Sequence, residues 1–135
     1  MKVFALGGYG KVGFPAIKLL AQSDLVTEIA IAGRSVERAQ KAAAEISEKA
    51  VAVCADGTDE QKLASLLADY DIIVNAAHND TVLPTIRAAI STGTPYCDVN
   101  VVNEQALELT SEAEAVGIPS IVATGISPCI SNLMG

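Results

Sequence analysis

The sequence predicts an α/β domain, a doubly wound parallel sheet of about six strands in the order 3-2-1-4-5-6 with helices on both faces. Three observations carry this reading. Short β-type runs alternate with helical stretches along the chain, with brief punctuation between them. Runs such as Ile72-Ile73-Val74 and Ile121-Val122-Ala123 are continuously apolar, the pattern of strands buried on both faces. The first run, Val3-Phe4-Ala5-Leu6, enters a glycine-rich turn that opens directly into an amphipathic stretch at Phe14, Ile17 and Leu20. Right-handed crossovers between parallel strands then lead to the doubly wound, or Rossmann, topology.

In chain order, the first strand is expected over residues 2–6 and the first helix over 11–22. The second strand, 27–32, rests on Glu28-Ile29-Ala30-Ile31-Ala32, and a helix follows over 35–47. The third strand, 50–54, runs into the turn Asp56-Gly57-Thr58-Asp59 and a helix over 59–68. The fourth strand, 71–76, closes on the small residues Asn75-Ala76-Ala77 before a helix over 80–92. A fifth strand over 95–98, a helix over 103–116 and a sixth strand over 119–123 complete the sheet, and another helix begins near Ser127 or Pro128. No repeat, low-complexity segment or long linker divides residues 1–135, which read as one domain.

The glycine-rich turn is Gly8-Tyr9-Gly10-Lys11-Val12-Gly13, a G-x-G-x-x-G motif between a strand and a helix. In that context each glycine has a separate role. Gly8 allows the tight turn, Gly10 lets the backbone approach a pyrophosphate, and Gly13 lets the helix pack close to the strand. The helix N-terminus adds free N–H groups and a partial positive charge, so the motif points to a bound dinucleotide.

Domains selective for NAD usually carry an acidic residue at the end of the second strand, where it bonds the ribose hydroxyls. Gly33 stands there instead, followed by Arg34 and Ser35. Without the carboxylate a 2′-phosphate is not repelled, and a guanidinium can hold it by two parallel charge-assisted hydrogen bonds. NADP(H) is therefore the favoured cofactor, with NAD(H) open if Arg34 stacks on the adenine or faces solvent.

Other candidate contacts lie at strand ends. Asp56, beside Gly57, either borders the adenine or caps the next helix, a role Thr58 also fits. Asn75, Ala76 and Ala77 leave space for a dinucleotide backbone. His78, the single histidine, is either a solvated loop residue or a catalyst. Asp98 either faces the nicotinamide or caps the following loop. No paired carboxylates, nucleophile–base pair or metal cluster stands out, so no catalytic residue is assigned.

Composition narrows the function. With 135 residues, 50% of them hydrophobic, and a net charge of −7, the chain can bury a core and lacks the basic footprint of a nucleic-acid binder. Its acidity suits an anionic membrane surface poorly. No apolar run reaches the roughly 20 residues of a membrane span, and no basic, hydrophobic, cleavable leader is present, so cytoplasmic residence is the default expectation. Cys54, Cys97 and Cys129 are odd in number and lack metal-type spacing, which argues against disulfides and zinc.

Several segments together resemble the N-terminal domain of the saccharopine dehydrogenase-like oxidoreductases. These are the glycine loop, Ala32-Gly33-Arg34-Ser35, Asp56-Gly57-Thr58-Asp59, Gly93-Thr94-Pro95-Tyr96-Cys97-Asp98, and the closing Gly125-Ile126-Ser127-Pro128-Cys129-Ile130-Ser131-Asn132-Leu133. The likeness runs along essentially the whole chain and implies an NAD(P)-dependent enzyme acting on the carbon–nitrogen bond of amino-acid adducts or on related substrates. It also implies a second domain after Gly135 that supplies the substrate pocket and the contacts of a homodimer. On this view the 135 residues are a truncated or excised domain that binds cofactor without turnover, which the mean hydropathy of +0.37 fits. Two departures stand out. Ser127-Pro128-Cys129 replaces the Asp-Pro-Gly common in the family, and His78-Asn79-Asp80 stands where relatives often have proline or glycine. A nucleotide-sensing regulatory module without catalysis is the alternative, since a scaffold alone does not determine function.

Overall fold

The structure, a computed structural model, describes residues 1–101 and 103–125. The helix expected near Ser127 or Pro128, and Cys129 with it, lie outside the described residues. The six strands are β1 (Lys2–Leu6), β2 (Glu28–Gly33), β3 (Ala50–Cys54), β4 (Ile72–Asn75), β5 (Tyr96–Asp98) and β6 (Ser120–Ile121). All pair in parallel, in the order β3-β2-β1-β4-β5-β6, which is the expected doubly wound sheet. The helices are α1 (Gly13–Leu20), α2 (Val36–Ile46), α3 (Glu60–Leu67), α4 (Val82–Thr92) and α5 (Glu104–Ala115), with a 3-10 turn over Asn79–Thr81 leading into α4.

Strand pleating divides the core into two layers, because alternate side chains leave opposite faces. Val3, Ala5, Ile29 and Ile31 pack with Ile17 of α1 and Ala39, Ala42 and Ala43 of α2. Phe4, Leu6, Ala30 and Ala32 pack on the other face with Leu63 and Leu67 of α3, Ile86 of α4 and Ala106 of α5. Crossovers that step one way from β1 therefore cover one face, and those that return past it cover the other, as right-handedness requires.

Helix ends differ from the expected ranges for a common reason. Ser35, Asp59 and Asn103 are caps, each accepting the N–H of the residue three positions on, so α2, α3 and α5 start one residue later than predicted. α1 starts two residues late, because Gly10 N–H bonds Gly7 O at 2.8 Å and keeps the segment before Gly13 in a turn. β6 stops at Ile121 and does not reach residue 123, since Ala123 has φ +59°, a left-handed conformation that no strand accommodates.

Candidate functional site

A cleft of about 330 Å³ opens at the C-terminal ends of β1, β2, β3 and β4. Its floor is the turn between β1 and α1. Gly7, which the sequence reading passed over, makes that turn with φ +76°. A Cβ at Gly7 would lie 2.7 Å from the carbonyl carbon and oxygen of Ala76 and from Ala77 N. Gly8, expected to carry the turn, has no such φ and packs over Ala5 and Ile31. Two further glycines pack on Gly7: a Cβ on Gly10 would stand 3.1 Å from Gly7 O, and one on Gly13 would collide with the same oxygen. α1 begins at Gly13, and its N-cap Val12 makes no side-chain cap, unlike those of α2, α3 and α5. Phe14 N–H is taken by Gly10 O at 2.9 Å and Pro15 has none, so the positive end of the helix is offered to an anion mainly through its dipole and the backbone before Phe14.

The wall formed by β2 and α2 is basic. Gly33 ends β2, and Arg34 and Arg38 both line the cleft. Arg38 lies four residues beyond Arg34, a spacing that could have signalled it in the sequence. Ser35 turns away to cap α2, its Oγ accepting Arg38 N–H at 3.3 Å. Across the cleft, Asp56 and Gly57 follow β3. Asp56 Oδ1 accepts both the backbone N–H of Thr58 (2.9 Å) and its hydroxyl (2.7 Å). These two bonds hold the Asp56 carboxyl below its ordinary pKa, with Arg34 adding to the effect. Asp59, and not Asp56 or Thr58, caps the following helix.

Ala76, Ala77 and His78 form the lip after β4. His78 is exposed and its Nδ1 pairs with Asp80 at 3.2 Å. Asn75, expected beside the dinucleotide, and Asp98, for which a cleft-facing and a loop-capping role were open, are both buried beneath the lip. Asn75 Nδ2 donates to Asp98 Oδ2 at 2.9 Å, Asn75 Oδ1 accepts Ala77 N–H at 3.1 Å, and Asp98 Oδ1 accepts Asn100 N–H at 2.6 Å. The Tyr96 hydroxyl donates to the same carboxylate, and burial together with that charge pushes its pKa above the ordinary phenol range. Asp98 therefore takes the loop-capping alternative. Lys11 and Val12 are exposed and do not line the cleft. Among the described residues no group of His, Cys, Asp or Glu is placed to hold a metal ion, and no helix is long and apolar enough to cross a membrane.

A doubly wound sheet whose first crossover begins in this way is a dinucleotide-binding domain. Its family is more specific: residues 3–121 match the family described as saccharopine dehydrogenase NADP binding domain, and the chain belongs to it. It is 29% identical over 126 residues to the saccharopine dehydrogenase (NADP(+), L-glutamate-forming) of Saccharomyces cerevisiae, covering 93% of this chain and 28% of that protein. The apo structure of saccharopine dehydrogenase (L-Glu forming) from Saccharomyces cerevisiae matches with a TM-score of 0.85 at 28% identity, over 98% of this chain and 29% of that one. The UDP-Glc/GlcNAc 4-epimerase from Campylobacter jejuni shares the fold alone, with a TM-score of 0.70 at 14% identity over 90% of this chain and 52% of that one. The chain spans under a third of the length of the saccharopine dehydrogenase it matches.

The cleft fits the family's cofactor. Gly7 and Gly10 line it without side chains, the helix start behind it has no side-chain cap, and the guanidinium groups of Arg34 and Arg38 line the same cleft, cations of the kind a 2′-phosphate requires.

Proposed function

We propose that this domain holds NADP(H) across the C-terminal edge of its sheet and that, in the complete protein, it serves hydride transfer to or from a small substrate such as an amino-acid adduct. The observation that carries the reading is that Gly7 and Gly10 of the turn line one cleft together with Arg34. The side-chain-free backbone at Gly10 and the positive end of α1 would take the diphosphate. Gly33 and Arg34 would take the phosphorylated ribose, with Asp56 and Gly57 beside the adenine and Ala76, Ala77 and His78 toward the nicotinamide. Gly8, Ser35, Asn75 and Asp98 act through the backbone they shape. When bound, NADP(H) supplies the hydride, while these residues supply position and electrostatics. A substrate site outside these 135 residues, a homodimer and cytoplasmic residence belong to the same proposal and rest on the family resemblance. Family membership favours this enzyme over a sensing module.

Titration with NADPH and NADH side by side, at low phosphate, tests the reading. NADPH is expected to bind more tightly. Arg34→Ala should weaken NADPH by about 1.5–3 kcal/mol, the worth of a charge-assisted pair, and leave NADH nearly unchanged. Equal losses for both cofactors would show that Arg34 does not read the phosphate.

A further inference from the structure

Tyr9 leaves the glycine loop and lies across the tip of β2. A Cβ placed on Gly33 would collide with the Tyr9 hydroxyl and stand 2.6 Å from its Cε1 and Cζ. Gly33 is buried, so any side chain there has to enter the space the ring fills. The ring is held from two sides. Ser35 N–H donates to its hydroxyl at 3.2 Å, and the Arg38 guanidinium sits over its face, 4.6 Å from the ring centroid. Since the hydroxyl accepts from Ser35, its own proton is left to donate to an acceptor in the cleft.

We propose that Tyr9 is a specificity-determining residue that keeps position 33 free of a side chain and carries Arg38 to the 2′-phosphate beside Arg34. An acidic residue at 33, the usual device for taking NAD(H), then fits only if the ring swings away and gives up its Ser35 and Arg38 contacts. Cofactor choice belongs to the Tyr9–Gly33 pair. This rests on the reading of the cleft as an NADP(H) site.

The test is fluorescence titration of the full chain with NADPH and NADH, alongside thermal unfolding. Gly33→Asp alone is expected to lose at least tenfold in NADPH affinity and to gain none for NADH, because the carboxylate meets the ring. Adding Tyr9→Ala to it should raise NADH affinity at least tenfold, whereas adding Tyr9→Phe should not, since Cε1 and Cζ remain. If Gly33→Asp is too unstable to titrate, recovery of Tm with Tyr9→Ala but not with Tyr9→Phe supports the interlock, and no recovery overturns it. Gly33→Asp alone matching the Tyr9→Ala double variant in NADH affinity would overturn it, as would equal rescue by Tyr9→Phe. A wild-type chain without preference for NADPH would reject the underlying cofactor reading, and this inference with it.

Discussion

Gly7→Ala is expected to destabilise the domain and to abolish binding of NADPH and NADH alike. Two costs combine. The alanine has to adopt φ +76°, which strains an L-residue by about 1–3 kcal/mol. Its Cβ would also press on the backbone of Ala76 and Ala77 at 2.7 Å, adding an overpacking cost of about 1–3 kcal/mol. These neighbours are main-chain atoms just beyond β4, tied to β1 by the Ala76 N–H bond to Leu6 O at 2.8 Å, so they cannot yield as a side chain would. Gly93→Ala separates the two terms. Gly93 has φ +73° at the end of α4, but nothing lies within 4 Å of where its Cβ would stand. It should cost the strain alone, about 1–2 kcal/mol, and leave cofactor affinity unchanged. Equilibrium unfolding and titration of both variants check this. Equal destabilisation would mean that the contact between Gly7 and the β4 tip carries no energy.

The sheet was legible because its strands are buried on both faces, and continuous apolar runs such as Ile72-Ile73-Val74 have no other ready explanation. Element ends were less legible, since a residue such as Asp59 is compatible with both the last position of a loop and the first of a helix until its side chain is seen to bond Lys62 N–H. The glycine turn is legible in the sequence, but which glycine carries its positive φ is not. Gly7 and Gly8 are adjacent, so the motif fits the sequence in two registers, and only φ separates them. Asn75 was misplaced, and Asp98 left open between cleft and loop, for a different reason. Polar residues at strand tips invite a cleft-facing reading, yet strand pleating puts Asn75 on the same face as Ile73, and Asp98 on the same face as Tyr96. Both Ile73 and Tyr96 belong to the layer under α4, and that parity was present in the sequence. Arg38 carried a signal in its spacing from Arg34, but its contact with Tyr9 had none, because that depends on how the loop folds over β2.

Asn75→Ala is expected to be among the most damaging substitutions outside the hydrophobic core. Asn75 Nδ2 serves Asp98 and, at 3.1 Å, the Thr81 hydroxyl, while its Oδ1 receives Ala77 N–H. The Thr81 hydroxyl in turn bonds His78 O at 2.7 Å. One amide therefore ties the buried carboxylate to both ends of the lip. Removing it leaves the half-buried Ala77 N–H unpaired and the buried Asp98 anion short of a partner, at about 2–4 kcal/mol. Denaturant unfolding measures the loss, and a value below about 1 kcal/mol would show that water replaces the amide. The same cluster predicts a pH dependence. Tyr96 is held protonated by burial and by Asp98, so in the folded chain its pKa lies above the unfolded value of about 10. Above that pH the unfolded state binds fewer protons than the folded one, and stability falls by up to about 1.4 kcal/mol per pH unit for this group. Tyr70, raised chiefly by burial, contributes in the same direction. Tyr96→Phe removes the Tyr96 share and, below pH 10, also removes a hydrogen bond to Asp98. The variant should therefore be the less stable protein at neutral pH, with the gap to wild type narrowing as pH rises past about 10. Parallel stability curves would mean that the phenol ionises as readily in the folded chain as in the unfolded one, and that the cluster beneath the lip is open to solvent.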